Sequence, residues 1–113
     1  MYYIQANIGR NYKGTDTAMS LADWNSFVTY VADTLGNGAD RATSGQTLRM
    51  PWEHIEIHRG TGTYGNVEES AHISLVWEEF DMDYIRERLA GLADEFMQDA
   101  IALIVGSELI HSS

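Results

Sequence analysis

Residues 53–77 read EHIEIHRGTGTYGNVEESAHISLVW, and two alternating runs within them decide the fold. In the first run, Glu53, Ile55, Ile57 and Arg59 alternate with His54, Glu56 and His58. In the second, Ala71, Ile73, Leu75 and Trp77 alternate with His72, Ser74 and Val76. Period two marks a β-strand with unlike faces, so the segment predicts two strands. The connection GTGTYGNVEE holds Gly60, Gly62 and Gly65, which admit positive φ and suit a wide or bulged hairpin end. If Ile55 and Ile57 share the buried face with Ile73 and Leu75, the register must gather Glu56, His58, His72 and Ser74 on the other face.

Working outward towards the N-terminus, Tyr2, Ile4, Ala6 and Ile8 alternate with Tyr3, Gln5 and Asn7, which predicts a first strand over residues 2–8. A polar loop follows from Gly9 to Thr17. Ser20 is suited to cap a helix, and Asp23 places a favourable charge in its first turn. Leu21, Trp24, Phe27, Val28, Val31 and Leu35 then step by three and four, giving one apolar stripe. Gly36 stands where a left-handed C-terminal cap belongs, so the first helix is predicted to stop there, with residues 36–52 (GNGADRATSGQTLRMPW) as a long loop.

Towards the C-terminus, Asp81 or Asp83 can cap a second helix, whose stripe is Ile85, Leu89, Leu92, Ala93 and Phe96. Gly91 weakens that helix by about 1 kcal/mol relative to alanine. Ala100–Val105 is a short apolar run closed by Gly106, and it predicts a fourth strand. The order β-α-β-β-α-β is the ferredoxin-like plan, an α+β fold with a four-stranded antiparallel sheet and two helices on one face. Right-handed crossovers put the first and third strands in the centre. The 113 residues fit one domain, residues 1–113, and the 44% hydrophobic content is enough for a core.

Composition narrows the function. Without cysteine there are no disulfides, thiolate zinc sites or cysteine nucleophile. The net charge of −10 is uneven: residues 1–65 hold six acids and five bases, residues 66–113 eleven acids and two bases. Phosphate-backbone binding needs clustered cations, so direct nucleic-acid binding is not expected. An acidic face steers towards basic partners or keeps a small protein soluble. The N-terminus lacks a basic n-region followed by an apolar run, and no stretch reaches the length of a membrane span. A cytoplasmic protein with no membrane contact is the expectation.

Candidate ligand or partner residues come from the uncovered sheet face, the hairpin and the end of the first strand. Tyr3, Asn7, Glu56, His58 and His72 fall on the face opposite the helices, with Gln5 and Ser74 among them. Tyr64 and Asn66 lie at the hairpin tip, whose glycines join two strands and not a strand to a helix, as phosphate-binding loops require. Arg10 follows the first strand, where an arginine can grip an anion; the alternative is a turn with one surface arginine. Two histidines near a carboxylate are types that bind metals or move protons, but no third ligand is fixed. Neither a metal, a cofactor nor a catalytic residue is assigned. The acids Glu68, Glu69, Glu78, Glu79 and Asp83 are read as solvated or capping groups.

NIGRN at 7–11, SLADWNSFV at 20–28, GTGTYGNVEESAHI at 60–73 and FMQDAIALIVG at 96–106 together resemble small uncharacterised accessory proteins of phage and bacterial genomes. The resemblance implies a compact accessory protein, phage-encoded and acting in the host cytoplasm, and assigns no active residue. The leading expectation is a non-enzymatic binding module and homo-oligomer that recognises a protein or small ligand. A sharper form of it is a counter-defence protein that sequesters a host factor or nucleotide signal. The alternative is a small hydrolase, isomerase or monooxygenase-like enzyme using His58, His72 or Glu56.

Overall fold

The computed structural model describes residues 1–43, 50–61 and 68–107. In chain order the elements are β1 (Tyr2–Gly9), α1 (Leu21–Thr43), a 3-10 turn (Pro51–His54), β2 (Glu56–Thr61), β3 (Glu69–Trp77), α2 (Met82–Glu95) and β4 (Ala102–Ser107). The sheet runs β2-β3-β1-β4, every neighbouring pair antiparallel, so β1 and β3 are central as the topology requires. Ile4, Ala6 and Ile8 of β1 and Ala71, Ile73, Leu75 and Trp77 of β3 are buried beneath the helices. The opposite side chains of both strands form a face that neither helix covers.

Two local readings are corrected. Gly36 does not end α1, which continues to Thr43, and the segment read as a loop from residue 36 is helical over its first eight residues. Gly36 and Gly38 are contact points, not caps. A Cβ on Gly36 would stand 2.4 Å from the Trp52 ring, and one on Gly38 would stand 2.4 Å from Cγ1 and Cδ1 of Ile85. Two helical glycines cost about 1 kcal/mol each relative to alanine, and the close packing of Trp52 and α2 offsets that cost. The last turns are also tied by polar contacts. Asp81 donates its backbone N–H to the Gly38 carbonyl at 2.9 Å, while Trp77 Nε1 donates to Thr43 Oγ1, which donates in turn to the Ala39 carbonyl, both at 2.9 Å.

The second correction concerns residues 51–55. Pro51 starts a 3-10 turn, as a proline suits the first helical position, and β2 begins only at Glu56. The strand parity survives: Ile57 opposes Ile73, Glu56 opposes Ser74 and His58 opposes His72. Ile57 lies at the sheet edge and stays 44% exposed, whereas central Ile73 is sealed.

Asp81 caps α2, its side chain accepting from the Tyr84 N–H at 3.1 Å. At the other end Phe96 stacks on Phe27 with centroids 4.7 Å apart, and Met97 takes a left-handed φ of 53°. The chain turns there because Gln98 donates its backbone N–H to the Ala93 carbonyl at 2.7 Å.

Alanine at two helical glycines should act with opposite signs. Gly38→Ala drives a methyl into buried Ile85 and should lower unfolding stability by about 1–3 kcal/mol despite better helix propensity. Gly91→Ala meets nothing within 4 Å and should raise stability by about 0.5–1 kcal/mol. Urea titration of both variants reads the signs directly; a stabilising Gly38→Ala would contradict the tight α1–α2 contact.

Candidate functional site

The open sheet face is built by strand parity. Because Ile4, Ala6 and Ile8 turn to the helices, Tyr3, Gln5 and Asn7 must turn away, and the registers of β3 and β4 keep the same parity. Across the sheet, Glu56, Ser74, Gln5 and Ile104 form one row, and His58, His72, Asn7 and Ala102 the next. Tyr3, Asn7, Glu56, His58 and His72, predicted from sequence to share a surface, are thus brought together.

Hydrogen bonds order the middle of this surface. Tyr3 donates its hydroxyl to Gln5 Oε1, and Gln5 Nε2 donates to Asn7 Oδ1 at 2.7 Å. Gln5 Nε2 also lies 3.4 Å from His72 Nδ1. Ser74 is the buried floor of a shallow depression of about 210 Å³ bordered by Tyr3, His54, Glu56 and Val76. His58 Nε2 stands 3.9 Å from Glu56 Oε2 with both side chains about three-quarters exposed, so water screens the pair. Chemically, the surface offers fixed amide and phenol groups beside a solvated imidazole pair. It is equipped to recognise polar groups in a set orientation.

The remaining predicted positions lie elsewhere. Arg10 is committed to the fold: its Nη1 donates to Glu69 Oε1 and its Nε to the Met19 carbonyl, both at 2.8 Å, while its backbone pairs with Glu69 and Met19. These contacts hold the β1–α1 connection against the start of β3. Arg59 reaches Asn25 of α1 at 2.9 Å. Tyr64 and Asn66 lie outside the described residues. Among the described residues no group of three potential metal ligands is found, and no helix is long and apolar enough to cross a membrane.

The sequence reading missed Ala102 and Ile104. Both join the open face because Leu103 of β4 lies on the helix side, opposite Ala6. Period-two parity within the apolar run carried that signal, but its uniform hydrophobicity concealed it. On the helix side, α2 leans on α1 and leaves a cleft of about 300 Å³ against β4, lined by Leu89, Ala93, Ile101 and Leu103. Val105, on the same side as Leu103, is 47% exposed and borders a second hollow with Tyr2, Phe80 and Met82.

Comparison with protein-family models, curated proteins and solved structures finds no match to this chain. The site therefore has to be interpreted from its own chemistry.

One carboxyl has a shifted titration. The Tyr84 N–H, and then the Arg41 guanidinium, hold Asp81 below the usual carboxylate range. Arg41 Nε donates to Asp81 Oδ2 at 3.2 Å while its guanidinium carbon lies 4.5 Å from the Tyr84 ring centroid. The stability contributed by ionised Asp81 is fully present above the unfolded value of about 3.9 and fades as pH falls through the lower folded value. Asp81→Ala should therefore lower Tm at neutral pH by a margin that narrows in acid. A margin independent of pH, in thermal melts of both proteins across that range, would contradict the capping role.

Proposed function

We propose that this protein is a non-enzymatic interaction module that pairs with a second copy of itself through the β4 edge and offers the joined open faces to a protein partner or small ligand. The observation that carries the reading is the contrast between the two sheet edges. β2 bears Glu56 and Arg59, charges of the kind that keep an edge from pairing. β4, reading ALIVGS, has no charge and no proline, and its Ile104 and Val105 are 49% and 47% exposed on opposite faces. An uncharged apolar edge strand is what soluble monomers avoid, because its free N–H and C=O groups template another strand.

Antiparallel pairing of β4 with its own copy about a two-fold axis satisfies those groups and doubles the sheet. Charge favours this edge over other surfaces. Two chains of net charge −10 repel, and β4 itself adds no charged side chain to the seam. The polar ladder of Tyr3, Gln5 and Asn7, one strand away, would then run on both sides of the junction.

Light scattering coupled to size exclusion should give twice the chain mass of 12.7 kDa at micromolar concentration. Added salt should strengthen the association by screening the acidic surfaces. Ile104→Lys, which puts a charge on the edge, should give a monomer with unchanged circular dichroism. A monomeric wild type, or an Ile104→Lys protein that stays dimeric, would overturn the reading.

A further inference from the structure

The free edge of β4 has a definite hydrogen-bonding phase. In an antiparallel sheet, successive residues of a strand direct their N–H and C=O groups to opposite neighbours. Arg10 donates its N–H to the Glu69 carbonyl at 2.9 Å, directly after the Gly9–Ser70 pair, so the backbone of Arg10 faces β3. By alternation Ile4, Ala6 and Ile8 also bond to β3, while Tyr3, Gln5 and Asn7 bond to β4. Their partners there are Gly106, Ile104 and Ala102. The groups left at the open edge belong to Leu103, Val105 and Ser107, and none of the three has another backbone partner among the described residues.

That phase limits how a second copy can pair. A two-fold axis normal to the sheet keeps both open faces on one side, and residues directly opposite across an antiparallel seam point to the same face. An axis falling between Ile104 and Val105 would oppose those two residues, which point to different faces, so it is excluded. The axis must pass through a residue. At Leu103 the strands overlap only over residues 102–104, and the free groups of Val105 and Ser107 lie beyond the end of the partner strand. At Val105 they overlap over residues 103–107, but Leu103 meets Ser107 and Ile104 meets Gly106. At Ile104 they overlap over residues 102–106, Leu103 meets Val105, and Ile104 meets its own copy.

Burial separates the last two. Ile104 and Val105 are 49% and 47% exposed, and Leu103 is half-buried. Only the Ile104 axis sets each of the three against another large apolar side chain, on both faces of the seam at once.

We infer that the second copy pairs with β4 in the register whose two-fold axis passes between the two Ile104 residues, Leu103 of each protomer bonding to the partner's Val105. This register rests on the pairing proposed above and adds to it which residues meet. Ala102 then lies opposite the partner's Gly106, so small residues flank the isoleucine pair where the two open faces join.

The chain has no cysteine, so an introduced thiol is the only one present. Ala102, Ile104 and Gly106 turn their backbone groups away from the seam. Opposed Cα atoms at such positions lie about 4.5 Å apart, within the roughly 4.4–6.8 Å that a disulfide spans. Ala102→Cys, Ile104→Cys and Gly106→Cys are to be oxidised singly and in equimolar pairs, with covalent dimer read on a non-reducing gel. Ile104→Cys should crosslink alone, and Ala102→Cys mixed with Gly106→Cys should crosslink although neither does so by itself. That mixture keeps Ile104 intact, and a Cβ at Gly106 meets nothing within 4 Å, so the outcome does not hang on the Ile104 substitution. Preferential crosslinking of Ile104→Cys to Gly106→Cys would move the axis to Val105, and to Ala102→Cys would move it to Leu103. Either result, or no crosslink in any combination from a protein that scatters light as a dimer, would overturn the register and leave the pairing standing. A monomeric wild type would overturn both.

Discussion

The structure depends on how closely α2 and Trp52 approach α1 at Gly36 and Gly38. With no side chain at either position, Ile85 and the Trp52 ring reach the helix backbone itself. That approach sets where α2 lies. Drawn onto α1, α2 leaves the helix side of β4 only partly roofed, with Leu103 half-buried and Val105 half in water. The half-exposed apolar side chains at the β4 margin follow from a helical layer that covers the centre of the sheet and stops short of that strand.

Most of the sheet was legible because strand parity is a local property with long-range consequences. Once Ile57 and Ile73 are assigned to one face, Glu56, His58, His72 and Ser74 must share the other, and the observed register, with His58 opposite His72 and Glu56 opposite Ser74, places them there. Central placement of β1 and β3 followed from the order of elements. The end of α1 was not legible, since a glycine after a leucine stripe reads equally as a cap or as a contact. Only Trp52 and Ile85, sixteen and forty-seven residues further on from Gly36 and Gly38, decide between them. Pro51 likewise looked like part of a loop, though it opens the turn that brings Trp52 against the helix.

The candidate sites divide in the same way. The cluster of Tyr3, Asn7, Glu56, His58 and His72 could be derived from alternation alone. Arg10 could not, because its role is set by Glu69, a partner on another strand. Charge was legible both as a total and as an imbalance between the two halves, and the acids concentrated after residue 66 spare β4 itself.

Hydrogen exchange along β4 tests the central claim, that this margin of the sheet is completed by another copy of the chain. Amides of residues 102–107 that are not bonded to β1 should be protected at high protein concentration and exchange freely on dilution. Fast exchange of those amides at every concentration, with β1 and β3 protected throughout, would contradict it.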